Sequence, residues 1–201
     1  MSPQERNGIL RRWHLTEKEL TEIIDLNPSM RGLMMGYIAE YKLRKMHFSA
    51  PCFSDVHKKD DHDRSAKGDL TITYKGREFK IECKSLQTNS IRNSADGFSG
   101  KYQCDASDRR KIKVGRLEVE TTCLLVGEFD IIAVNLFSFK NEWVFAFALN
   151  DDLPRSTYKK YPPAVQRHLL ATLMPVSLPL QAPYIESPIP LLERLLNRAS
   201  H

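Results

Sequence analysis

Asp69 and the triplet Glu82-Cys83-Lys84 have the residue types and the spacing for metal-assisted phosphodiester hydrolysis. Asp69 opens the run Asp-Leu-Thr-Ile-Thr-Tyr, and the triplet ends the next apolar stretch. Mg²⁺ prefers oxygen ligands and usually takes one or two carboxylates from a protein. A lysine beside such an ion can stabilise developing negative charge or orient an attacking water. The backbone carbonyl of Cys83 is a further oxygen donor. The plain alternative is a solvated polar face on an ordinary hairpin, because Glu-x-Lys is a common strand pattern.

The flanking residues say what must position these groups. Leu70, Ile72 and Tyr74 alternate with Asp69, Thr71 and Thr73, a strand period. Lys75-Gly76-Arg77 reads as a turn. From Glu78 to Ser85, Phe79, Ile81 and Cys83 alternate with Lys80, Glu82 and Lys84. The expectation is an antiparallel hairpin with Glu82 and Lys84 on one face. A turn centred near residues 75–77 sets Asp69 roughly opposite residues 83–84. Upstream, residues 31–46 (RGLMMGYIAEYKLRKM) carry an apolar helical stripe of Leu33, Met34, Tyr37, Ile38, Tyr41 and Met46. Glu40 sits within a turn of that stripe, placed to be half-buried at a sheet edge. Its competing role is a surface pair with Arg44.

Together these residues resemble the PD-(D/E)XK nuclease superfamily, the restriction-endonuclease-like fold. Asp69 matches the first acid of that motif, Glu82 the second and Lys84 the lysine. Glu40, in the phrase Gly-Tyr-Ile-Ala-Glu, matches the glutamate of the first helix. Gly68 stands where the motif's name has proline. The resemblance implies an α/β fold with an αβββαβ core: a central mixed β-sheet flanked by helices. It covers about residues 30–150. It implies Mg²⁺ as cofactor, with Mn²⁺ as a substitute, held by Asp69, Glu82 and the Cys83 carbonyl. Glu40 would hold a second ion through water or orient another ligand.

The same resemblance implies a DNA endonuclease, first of all a type II restriction-like enzyme that cuts double-stranded DNA as a homodimer. The alternatives are a structure-selective or repair nuclease of the Holliday-junction resolvase kind, and a catalytically silent DNA-binding module. In this fold the segment after Glu-x-Lys borders DNA, so Gln87, Asn89 and Arg92 become candidates for base or backbone contacts. The competing reading of residues 86–101 is a flexible linker. Residues 101–116 are expected to form a helix capped by Asp105 or Ser107, with Lys101, Arg109, Arg110, Lys111 and Lys113 facing phosphates. Gln103 would lie beside the acids, as a polar residue on the next helix does in some relatives. A solvated helix face is the competing account of that charge.

Composition agrees without deciding. The 201 residues favour one domain, with an N-terminal helix at 14–26 and a proline-rich helical extension at 151–201. A net charge of +5 suits a polyanionic partner. No segment approaches the ~18 consecutive apolar residues of a membrane span. The first residues lack an apolar signal core. Cysteines 52, 83, 104 and 123 show no paired spacing, so a reduced, cytoplasmic setting is expected. Cys52, His57 and His62 fit no zinc pattern. Asp60, Asp61 and Asp63 lack the glycine and glutamate of a calcium loop. Strands are expected at 117–126, 128–137 and 142–149. Helices are expected at 164–173 and 191–198.

Overall fold

The computed structural model describes residues 8–58 and 68–198. The chain divides into two compact units, Met1–Ile38 and Ala39–His201, with the division inside a long helix. The first unit holds α1 (Ile9–Arg12), α2 (Glu17–Leu26) and the start of α3 (Pro28–His47). A capping box opens α2. Thr16 N–H donates to the Glu19 carboxylate at 2.7 Å, and Glu19 N–H donates to Thr16 Oγ1 at 3.2 Å. Such a cap contributes about 1 kcal/mol.

The second unit is built on a five-stranded mixed sheet in the order β1-β2-β3-β8-β9. Its strands are β1 (Phe53–Lys58), β2 (Leu70–Tyr74), β3 (Arg77–Ser85), β8 (Ile131–Asn135) and β9 (Phe145–Leu149). All neighbours run antiparallel except β3 and β8, which are parallel. The last two strands are buried along their whole length, the pattern of a sheet covered on both faces. One face packs Ile81, Cys83, Ile131 and Ala133 against Ala39 and Leu43 of α3 and Leu191 and Leu192 of α6 (Ile189–Arg198). The other packs Ile132 and Val134 against Tyr102, Leu170, Met174 and Val176. Each such fully buried aliphatic side chain is worth about 1.5–3 kcal/mol.

Several expectations are overturned. The apolar stripe of α3 is not what enters the core: Leu33, Tyr37, Ile38, Tyr41 and Met46 are exposed, and Ala39 and Leu43 are the buried residues. Small Ala39 lets the helix lie against the sheet. The helix expected at 101–116 is absent. In its place are β4 (Arg92–Ser94), β5 (Gly97–Gln103), β6 (Asp105–Val114) and β7 (Leu117–Cys123). Period two accounts for β6: Arg110, Ile112 and Val114 alternate with exposed Arg109, Lys111 and Lys113. Gly115, at φ +60°, turns the chain into β7. The helix expected at 164–173 shrinks to one turn, α5 (Pro163–Gln166). Leu169 and Leu170 then bridge to Leu125 and Arg155, and the chain continues as β10 (Leu173–Leu178), whose Pro175 lacks the N–H a helix interior needs. Strand β10 pairs with β5 in a three-stranded sheet ordered β10-β5-β4. A single turn, α4 (Phe137–Lys140), links β8 to β9. The polar run 57–67 suits a solvated loop or a DNA-facing one using Lys58, Lys59, Arg64 and Lys67; of it, residues 59–67, with its aspartates and His62, lie outside the described residues.

Candidate active site

The β2–β3 turn sets the geometry. Lys75 and Gly76 both have positive φ, +48° and +78°, and Tyr74 pairs with Arg77. This is a two-residue hairpin turn of the kind that matches strand twist. It is one residue tighter than the sequence suggested, and the difference matters. The ladder ends at the Leu70–Ile81 pair, and Asp69 lies just beyond it, beside residues 81–83. Paired residues of an antiparallel ladder share a face. Thr71, Lys80, Glu82 and Lys84 therefore line one side of the hairpin, and the Asp69 charge bears on both Glu82 and Lys84.

Backbone hydrogen bonds hold Asp69 in place. Its N–H donates to the Ile81 carbonyl at 2.9 Å, and its Oδ2 accepts the Cys83 N–H at 2.7 Å. By the two-residue period of the strand, the Cys83 carbonyl points to the same side as that of Ile81, toward Asp69. Gly68, at φ +78°, makes the approach; a Cβ there would stand 3.2 Å from the Ile81 oxygen.

Glu82 is 7% exposed, and its Oε1 lies 2.6 Å from Lys84 Nζ. Burial pushes its carboxyl up to about 7. Lys84 opposes that shift, and the Asp69 and Glu128 carboxylates add to it. Burial would lower the Lys84 ammonium, but Glu82 and Asp69 outweigh it and raise its pKa, so the lysine stays charged. The site thus holds two facing carboxylates against one ammonium.

Glu40 stands apart from this face. It projects from α3, which covers the opposite side of the sheet, and Lys58 Nζ lies 3.1 Å from its Oε2. It is close enough to Cys83 to bear on that thiol, which burial and then the Asp69 and Glu40 charges hold well above its ordinary pKa. Among the described residues, no group of three or more His, Cys, Asp or Glu side chains is set to hold a metal. The oxygen donors at this end of the hairpin are the Asp69 and Glu82 carboxylates and the Cys83 carbonyl. Oxygen donors of this kind, two carboxylates and a carbonyl, with the Glu82 carboxyl held toward its neutral form mainly by burial, are the type Mg²⁺ takes, since it retains waters and accepts few protein ligands.

The remaining predicted residues fall into separate places. Gln87, Asn89, Arg92 and Lys101 line one groove on the β10-β5-β4 sheet. Gln103 ends β5 and is exposed; its amide is held by Gln87 and Asp105, and no contact ties it to the acids. Arg109, Lys111 and Lys113 lie on the exposed side of β6, where Glu118 comes within 3.8 Å of both lysines. Arg110 points the other way. It forms a bidentate pair with Glu128 and donates to the Cys123 carbonyl at 3.0 Å, so it is a structural residue and not a free phosphate contact. This pair is what the sequence reading missed beside Glu82. Its only local signal is the alternation of Arg110 with Ile112 and Val114. Asp130 caps β3, accepting the Lys80 N–H at 2.7 Å. Asn135, polar inside β8, donates to Ser85 and accepts the Phe137 N–H. None of the four cysteines is in a disulfide.

Set beside known proteins, the chain matches no family model and no curated protein. Among solved structures it is similar to a bacterial homing endonuclease, I-Ssp6803I. The identity is 19% and the TM-score 0.33, over 67% of this chain and 85% of that one. At that distance the functional reading rests on the chain's own geometry. No helix among the described residues is long and apolar enough to cross a membrane.

Proposed function

We propose that this protein is a Mg²⁺-dependent DNA endonuclease of the restriction-like kind, acting on double-stranded DNA as a homodimer. The observation that carries the reading is the gathering of Asp69, Glu82 and Lys84 at one end of the hairpin, with Glu82 buried within reach of the Asp69 charge. A two-fold dimer would present one such centre to each antiparallel strand of a duplex. Mg²⁺, or Mn²⁺ in its place, bound by Asp69, Glu82 and the Cys83 carbonyl supplies charge neutralisation at phosphate oxygens and a more acidic water.

The protein's own groups divide the remaining work. Asp69, pinned by the Cys83 N–H, presents its second oxygen in a fixed direction. Glu82 must lose its proton to serve as a ligand, so metal binding should weaken as pH falls below about 7. Lys84 keeps its charge, so it suits stabilisation of negative charge on the phosphoryl oxygens and not proton abstraction.

Incubation of supercoiled plasmid and of a synthetic four-way junction with protein and Mg²⁺ tests this. Metal-dependent linear or nicked plasmid is expected. Asp69→Asn, which keeps an acceptor for the Cys83 N–H, and Lys84→Ala should each lower the rate by about 10²-fold or more. Undiminished cleavage by both variants would refute the assignment, and junction-only nicking would replace restriction-like cutting by resolution.

A further inference from the structure

The β10-β5-β4 sheet carries a groove of about 690 Å³. It is lined by residues of the 87–92 and 181–184 segments and of β5 and β10. Its lining contains two cations, Arg92 and Lys101, and no carboxylate. The rest of its polar lining is amide and hydroxyl: Gln87, Asn89, Ser99 and Ser177 among them. A cationic, acid-free concavity on an exposed sheet suits a polyanionic strand.

The groove is tied directly to the catalytic strand. Gln87 lies three residues beyond Lys84, a distance of ~10 Å in extended chain. Its N–H donates to the Lys101 carbonyl at 2.8 Å, and Leu86 bridges to Tyr102. The polar groups are held before any ligand arrives. Gln87 Nε2 donates to Gln103 Oε1 at 3.1 Å, and Gln103 Nε2 donates to Asp105 at 2.9 Å. Each amide uses one of its two N–H donors in this chain, which fixes the rotamers and leaves further bonding capacity. Ser90 Oγ accepts the Lys101 N–H at 2.8 Å and donates to the Gln87 carbonyl at 2.7 Å. Arg92 is braced through one terminal nitrogen, on the Ile91 and Asn89 carbonyls, and its other donors are left for a ligand.

We propose that this groove grips the DNA backbone next to the scissile phosphate, with Arg92 and Lys101 on phosphates and the Gln87 amide, braced from outside the groove by Gln103, on a base edge. The identity of the strand rests on the nuclease reading above; the groove itself does not. β10, from the C-terminal tail, is then part of the binding surface through Ser177, although its sequence shows no chemistry.

The test is binding without cleavage. The full chain carrying Lys84→Ala is titrated, with EDTA present, into a fluorescent duplex of randomised sequence over a range of NaCl concentrations. Arg92→Ala and Lys101→Ala should each weaken binding and each reduce the slope of log K against log salt by about 0.9. Lys159→Ala, an exposed charge off this face, should leave the slope unchanged. Selection from the randomised duplex should return different sequences for Gln87→Ala. Slopes unaltered by both groove variants, the same loss from the Lys159 control, or tighter binding of the matching RNA would overturn the proposal. Wild-type protein that binds through these residues but never cuts would sink the nuclease reading and leave the groove standing. Plasmid cutting with salt slopes insensitive to Arg92 and Lys101 would do the reverse.

Discussion

Replacing Glu82 by glutamine should flatten the pH dependence of the metal-free protein's stability. Glu82 has an ordinary carboxyl value of 4.5 and a folded value of about 7. The folded state therefore binds a proton that the unfolded state has released between those two values. The sign follows: the contribution is fully present below about pH 4.5 and is lost as pH rises through about 7. The gap, 7 − 4.5, is roughly 2.5 units, or about 3 kcal/mol at 1.36 kcal/mol per unit. Glutamine cannot ionise, so this fall is absent from the variant. Absolute stability is not the readout, because Lys84 loses its partner in Glu82→Gln at every pH. The readout is the difference between the two proteins at about pH 5 and about pH 8, by urea denaturation in EDTA. It should change by about 3 kcal/mol in favour of glutamine at the higher pH. Added Mg²⁺ should restore wild-type stability at about pH 8, do little at about pH 5, and do little for the variant at either. Parallel stability profiles for the two proteins would refute the electrostatic argument.

Two other substitutions separate structure from chemistry. Arg110→Ala leaves the Glu128 carboxylate buried without its guanidinium and should destabilise the fold by about 3 kcal/mol, read by denaturant unfolding; a merely weakened DNA affinity at full stability would restore Arg110 to the phosphate set. Gly68→Ala introduces a Cβ at φ +78°, 3.2 Å from the Ile81 oxygen and 3.3 Å from Lys80 Cβ. It should cost about 1–2 kcal/mol and reduce cleavage further than that loss of folded protein explains, because Asp69 must shift. Cleavage that tracks folded fraction alone would show that Asp69 tolerates the displacement.

The parts of this molecule legible in sequence are those made by near neighbours. The hairpin of β2 and β3 follows from alternation and a Lys-Gly turn, and the Thr16–Glu19 cap from two residues three apart. The register was off by one because Lys75-Gly76-Arg77 does not say whether two or three residues turn. Only positive φ at both Lys75 and Gly76 settles it. The pairing of β5 with β10 joins residues about 70 apart, Gln103 with Leu173, and no local pattern announces it. Residues 101–116 look helical because Asp105 and Ser107 offer caps and the cluster of cations suits one phosphate-facing side. The weaker alternation of Ile112 and Val114 with Lys111 and Lys113 was the correct signal. The Arg110–Glu128 pair was hidden for the same reason, since its members meet only once β6 and β7 fold back together.

The segment that replaced the expected helix also explains the site's electrostatics. Parallel strands such as β3 and β8 need a long connection between them. Here it occupies residues 86–130 and is built largely of strands. Glu82 and Lys84 pair in register with Ile132 and Val134, so they project toward the face this connection covers. Cys104 and Glu128, both from the connection, belong to the surroundings of the acid and the lysine. A bare Glu-x-Lys at the end of an uncovered strand would be solvated and would titrate as an ordinary carboxylate. Covered in this way, Glu82 loses water, faces two other carboxylates and holds its proton up to about 7. The same stretch lays β5 beside Gln87 and so forms the floor of the groove. One connection therefore creates both the buried, charge-crowded setting of Glu82 and the cationic groove beyond Gln87. Shortening it to a plain loop should abolish both together: the pH-dependent stability assigned to Glu82 and the salt-sensitive DNA affinity assigned to Arg92 and Lys101.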